Sequence, residues 1–257
     1  MPAATTDQLE GAAGALGLIG GVGLTEVHVY AQRPAPDGRY SGCPHVHAVC
    51  DEAYFVLRGT GSVEFNDLTR GFQTVGLSPG DYLQFPPMVM HRLISDGELV
   101  ILGIMGSAGL PERGEARIYF GADIDADPRR FDELMNLPRA HGLEGALRRR
   151  DASVAAYERL MQLWRDDRGA YFAELRRFFT VHSEAMAAVR ETFLDQVRCG
   201  PLRAAETVRQ RIGQLPAFAD EPRPVEVNRR GDGGRGAPTA LGMCGVLRPL
   251  VSLEQLR

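Results

Sequence analysis

Gly42-Cys43-Pro44-His45-Val46-His47-Ala48-Val49-Cys50-Asp51-Glu52 sets two histidines two residues apart and a carboxylate five residues after the second. Alternate residues of a β-strand point to one face, so His45 and His47 would present their imidazoles side by side, about 7 Å apart at the backbone. That spacing suits two ligands of one metal. Glu52, entering the next strand, can close the same face, whereas Asp51 is one residue out of register and should point to the opposite one. A second segment, Gly80-Asp81-Tyr82-Leu83-Gln84-Phe85-Pro86-Pro87-Met88-Val89-Met90-His91, brings another histidine after a Pro-rich turn. Sulfur ligates soft metals, but Cys43 and Cys50 are read as small buried hydrophobes.

Outward from this segment, short β-type runs alternate with turn residues. Strands are expected at Thr25 to Arg33, Ala53 to Leu57, Gly61 to Phe65, Gln73 to Leu77, Tyr82 to Phe85, His91 to Ser95 and Leu99 to Met105. Turns are expected at Pro34 to Gly38, Gly59-Thr60-Gly61, Asn66-Asp67 and Ser78-Pro79-Gly80. Seven or more strands at such spacing predict an all-β sandwich or barrel.

After Gly121 the pattern turns helical. Asp127-Pro128 is a helix start, with Asp as N-cap and Pro at the first helical position. Val154, Tyr157, Met161 and Trp164 form one amphipathic stripe, and Tyr171, Leu175, Phe178 and Phe179 a second. Further helices are expected from His182 to Arg198 and from Pro201 to Gln214. Residues 216–238 read as an irregular linker, and Met243 to Leu253 as a last strand or helix packing back on the body. The resulting division is an arm over 1–23, a β-barrel over 24–121, a helical region over 122–215 and a tail over 216–257.

The composition, 44% hydrophobic and 24% charged with 30 Gly and 16 Pro, is that of a globular protein rich in turns. A formal net charge of −4 argues against nucleic acid as a partner. All 29 basic residues are Arg, which excludes Schiff-base, pyridoxal phosphate and P-loop chemistry, since these need Lys. Four scattered cysteines form no disulfide framework and suit a reducing cytoplasm. The stretch Gly11 to Gly23 follows Asp7 and Glu10 with no basic residue, unlike a secretory leader, and no apolar run approaches membrane-spanning length.

The two histidine segments resemble the two motifs of the cupin superfamily. His45, His47, Glu52 and Gly59 fall at the spacing of the first, with Arg39 where a Gly opens it; Gly80, Pro86 and His91 fall at that of the second. Met88 and Ser95 depart from the usual Gly and Asn. The resemblance covers about Leu24 to Met105. It implies a double-stranded β-helix, or jelly-roll barrel, with His45, His47, Glu52 and His91 as metal ligands and Glu52 as a candidate base.

Such a ligand set suits Fe(II), the favoured ion, and also Mn, Ni, Co, Cu or Zn. Two open positions on a six-coordinate ion would let an enediol, catechol-like diol or diketone chelate it. Dioxygenases and isomerases both occur among proteins with this motif, so an Fe(II) dioxygenase is expected, with an isomerase, a lyase or a non-catalytic binding module as alternatives. Strand parity sets Tyr54 and Val56 with Glu52, and Leu93 with His91, facing the metal; His28 and Tyr30 would join them if their face is inward. Arg58 ends its strand in solvent, so no Arg is forced inward, which favours a neutral or apolar substrate. The Arg pairs and triplets of the helical half, Arg129-Arg130, Arg148-Arg149-Arg150, Arg176-Arg177 and Arg229-Arg230, read as solvated faces, without a helix-turn-helix. A ligand-responsive transcription regulator is therefore a minor alternative. The Tyr157, Trp164, Tyr171, Phe172 and Phe178 stripe should cover the barrel or a homodimer interface.

Overall fold

A computed structural model of the chain describes residues 19–107, 109–215 and 239–251. Its N-terminal half is one antiparallel sheet built on β1 (Gly23–Val29), β2 (Tyr40–Ser41), β3 (His45–His47), β4 (Glu52–Asp67), β5 (Gly71–Leu77), β6 (Tyr82–Phe85), β7 (Met90–Met105) and β8 (Ala116–Ile118). Two further strands, β9 (Ala240–Leu241) and β10 (Gly245–Val251), come from the far end of the chain and complete the order β5-β4-β7-β1-β10-β9. The last apolar stretch is thus a strand, pairing with β1 from Leu24↔Val251 to Val29↔Gly245. The linker expected at 216–238 and the arm up to residue 18 lie outside the described residues.

β4 and β7 hold this sheet together. They run side by side from Glu52↔Met105 to Asn66↔Met90. The turn expected at Gly59-Thr60-Gly61 is instead an irregularity within one continuous strand, where the register slips between Val56 and Gly61. Gly59 sits at φ +74°, and a Cβ there would stand 2.5 Å from the Glu98 carbonyl oxygen; at Gly61 it would stand 2.1 Å from that of Ile94. Glycine here permits close backbone approach at a bulge rather than chain reversal. The actual reversals lie elsewhere: Asp67 Oδ1 accepts from the amides of Thr69 and Arg70 at 2.6 Å each, and Asp81 Oδ2 accepts from Ser78 N at 2.7 Å.

Alternation along the strands sends Val27, Tyr54, Val56, Val63, Leu93 and Ile101 into one apolar interior. Each fully buried side chain of this size contributes on the order of 1.5–3 kcal/mol. Helices follow the sheet: α1 (Ala122–Asp125), α2 (Pro128–Asp166, broken at Gly142), α3 (Arg168–Ala187), α4 (Arg190–Val197) and α5 (Arg203–Gly213), of which α2 and α3 cover part of its outer face. Asp127 caps α2 by accepting from Arg130 N at 3.2 Å, and Asp167 caps α3 by accepting from Ala170 N at 3.0 Å.

Both aromatic stripes do cover the sheet. Tyr157, Tyr171, Leu175 and Phe178 pack against Val46, Met90 and Tyr119. Beneath them, Asn66 donates to the Tyr157 hydroxyl at 2.9 Å and accepts from that of Tyr171 at 2.8 Å. The arginine clusters are not uniformly solvated. Arg150, fully buried, donates to the carbonyls of Arg33 and Pro34, and Arg149 donates to those of Leu241 and Gly242, so two of the triplet fasten loop and tail to the helix. Arg92 is also fully buried on the outer face, donating to Asp37 and Ser41. Among the described residues no helix is long and apolar enough to cross a membrane.

Candidate metal centre

β3 is three residues long, and its alternation does what the sequence requires of it. His45 and His47 face inward, while Val46 between them joins the helical layer. β7 sets His91 directly opposite His45, and β4 begins at Glu52. One ligand atom from each of His45, His47, Glu52 and His91 lies within 4.8 Å of all the others, and all four residues are buried. His45 Nε2 is 3.0 Å from His91 Nε2, and Glu52 Oε2 is 3.1 Å from His91 Nε2 and 3.4 Å from His47 Nε2. Asp51, the rival carboxylate, is exposed.

The other ring nitrogens are committed outward. His45 Nδ1 lies 2.9 Å from the Cys43 carbonyl oxygen, His91 Nδ1 lies 3.1 Å from that of Val89, and His47 Nδ1 lies 2.7 Å from Glu115 Oε2. Carbonyl and carboxylate oxygens only accept, so each Nδ1 carries a proton and each Nε2 faces inward. Burial, followed by the neighbouring His91 and His47, drives His45 well below the ordinary histidine range, keeping it neutral. Burial alone would raise the Glu52 carboxyl, but His91 and His47 outweigh it and hold the group ionised. Glu52 Oε2 accepts no hydrogen bond. Four buried ligand atoms this close together are what a cation satisfies, so the residues fit a divalent metal.

Glu115 is the residue that sequence reasoning missed. Fully buried just before β8, it also accepts from the amides of Val49 and Cys50 at 2.6 and 3.0 Å. Burial would raise its carboxyl, yet His47 and those amides bring it below the usual range. Nothing in the local pattern marks it, because its partners lie more than sixty residues away. Cys244 was missed for the same reason: its Sγ is 3.5 Å from His45 Nε2. Cys43 and Cys50 pack into separate apolar clusters.

Tyr54, Val56 and Leu93 belong to the interior cluster next to the site, with the Tyr54 ring centroid 6.3 Å from that of His91. The Tyr54 hydroxyl is buried without a hydrogen-bond partner. His28 and Tyr30 correct the expectation that they join the pocket if their face is inward. Val27 and Val29 take the inward positions of β1, so His28 turns outward to Glu26, and Tyr30 packs on Ala146 and Leu147 of α2. Parity alone could not decide which face of β1 was inward. A cleft of about 470 Å³ between α2 and the outer sheet face is lined by Asp37, Arg39, Glu64 and Arg92 among others and does not include the imidazoles.

Residues 33–105 match the family model of the cupin domain. Among solved structures, the chain is similar to the TDP-fucose-3,4-ketoisomerase of Campylobacter jejuni, at 10% identity and TM-score 0.28, covering 32% of this chain and 58% of that one. It is also similar to a cupin-2 domain containing protein from Shewanella frigidimarina, at 25% identity and TM-score 0.26, covering 33% and 69%. A third is the salicylate 1,2-dioxygenase of Pseudoaminobacter salicylatoxidans, described with gentisate, at 16% identity and TM-score 0.26, covering 33% and 20%. No curated protein matches the chain.

Proposed function

We propose that this chain, which carries a cupin domain over residues 33–105, holds one divalent transition metal on His45, His47, Glu52 and His91 and acts with it on a small chelating organic substrate, in the first instance as an Fe(II) dioxygenase. One observation carries the metal reading: three inward Nε2 atoms and a Glu52 oxygen, all on buried side chains, lie within 4.8 Å of one another. A bound ion would supply Lewis acidity and, if redox-active, electrons for oxygen chemistry.

The protein's own side chains determine what can approach. Val56, Leu93 and Ile101 make the interior beside the ligands apolar, and the buried arginines Arg92, Arg149 and Arg150 are engaged elsewhere. An anionic sugar phosphate would lack a counter-charge there, which supports a neutral or apolar substrate. Burial and the Glu52 carboxylate push the Tyr54 phenol well above its ordinary range, so it stays protonated and can donate to a substrate oxygen. Glu52, held ionised, is better suited to ligation than to taking up a proton.

The metal reading is tested by elemental analysis of protein purified without added metal, beside His45→Ala and His91→Ala. Equal metal content in all three would sink it. Oxygen uptake by the Fe(II)-loaded protein on a panel of enediols, catechols and diketones tests the reaction. Turnover without oxygen uptake would replace the dioxygenase by an isomerase or lyase, and no turnover at all would leave a binding module.

A further inference from the structure

We propose that Cys244 is a fifth, sulfur ligand of this metal centre, delivered from the far end of the chain; the inference rests on the metal reading above. Cys244 Sγ stands 3.5 Å from His45 Nε2, while His45 and His91 Nε2 are 3.0 Å apart and Glu52 Oε2 is 3.1 Å from His91. Neighbouring nitrogen and sulfur donors on one ion, at bond lengths of about 2.1 and 2.3 Å, are roughly 3.1–3.6 Å apart. The thiol therefore keeps a neighbouring ligand's distance from His45. It lies outside the compact group of four.

The placement is built by backbone on several sides. Cys43 N donates to the Met243 carbonyl at 2.8 Å, and the Gly242 carbonyl accepts from the Tyr30 hydroxyl at 2.9 Å and from Arg149 at 2.7 Å. A Cβ on Gly42 would stand 2.7 Å from Cys244 Cα, and one on Gly245 would stand 2.0 Å from the His28 carbonyl oxygen. Two glycines thus allow the bend carrying Cys244, between β9 and β10, to lie against the sheet. The independent pointers to a ligand are Glu52 Oε2 and the Tyr54 hydroxyl, both on buried side chains and both without a hydrogen bond, with Tyr54 and Cys244 in the same interior cluster.

On metal binding the thiol would lose its proton to solvent and the sulfur would bond the ion. This favours thiophilic ions over Mn(II). Bound there, the sulfur would hold a position that a chelating substrate would otherwise take.

The test is titration of the metal-stripped chain with Co(II), reading near-ultraviolet sulfur-to-metal charge-transfer absorption together with bound cobalt, for the wild type, Cys244→Ser and Cys43→Ser. The expected result is one bound cobalt in each, with the absorption present in the wild type and Cys43→Ser and lost in Cys244→Ser. Cobalt bound by the wild type without that absorption, or absorption surviving in Cys244→Ser, overturns the proposal while leaving the four-ligand site intact. A wild type that binds no cobalt overturns both. If Cys244→Ser fails to fold, judged by circular dichroism, Cys244→Ala takes its place, and absence of the wild-type absorption remains decisive by itself.

Discussion

His47 Nδ1 donates to Glu115 Oε2 at 2.7 Å, joining residues 68 positions apart and fixing the tautomer that turns His47 Nε2 toward Glu52. Glu115→Gln removes this control. The amide oxygen can still accept from Val49 and Cys50, but the amide nitrogen would then face Nδ1 and favour the tautomer protonated on Nε2, which cannot ligate. Metal affinity is expected to fall about 10–100-fold, as for other partners that orient a ligand histidine, with secondary structure retained. Competition with a chromophoric chelator measures it; unchanged affinity would mean that Glu115 only braces the loop.

Gly42→Ala should loosen the tail strand. Its Cβ would lie 2.7 Å from both Cys244 Cα and the Cys244 carbonyl oxygen, backbone atoms that cannot swing aside as a side chain can. Overpacking of this kind costs about 1–3 kcal/mol. Urea unfolding should show that loss, and limited proteolysis should cut the tail faster; equal stability and equal cutting would show that the two segments separate freely.

Asn66 joins the sheet to both covering helices through the Tyr157 and Tyr171 hydroxyls. Tyr171→Phe leaves its buried amide oxygen without that donor, a loss of about 1–3 kcal/mol. Asn66→Ala should cost more, and the double variant should fall short of the sum because the two residues share one bond. Additive effects in urea unfolding would rule out the coupling.

Readability from sequence followed the range of the interaction. His45 and His47 lie two residues apart, so alternation sufficed to set them on one face, while the choice of Glu52 over Asp51 came from the next strand's register and the motif spacing. The Asp127 cap and the helical stripes were equally local. Gly59 and Gly61 misled because glycine serves a turn and a bulge alike, and only the neighbouring β7 backbone decides between them. The face of β1 was undetermined because His28 and Val27 alternate without saying which side is covered. Glu115 and Cys244 reach the site through pairings of β8 with β3 and β10 with β1, which no local pattern encodes. Arg149 and Arg150 looked solvated because the carbonyls they bind belong to a loop and a tail remote in the chain.

His182 on α3 ties the helical layer to the segment behind His47, with Nε2 donating to the Glu115 carbonyl at 2.8 Å. Burial is the leading influence on it, and its pKa falls from 6.5 to about 4. The unfolded chain therefore binds a proton near pH 6.5 that the folded chain refuses until about pH 4. Between those values the unfolded state holds more protons, so this residue's contribution to stability is intact above pH 6.5 and is lost as pH falls toward 4. From pH 7 to pH 5 the loss should be about 2 kcal/mol. Urea unfolding of metal-free wild type and His182→Gln at both pH values isolates it, because the remaining titrations are common to the two. The wild type should lose about 2 kcal/mol more than the variant over that interval. Parallel losses would show that the folded protein accepts the proton on His182 as readily as the unfolded chain does.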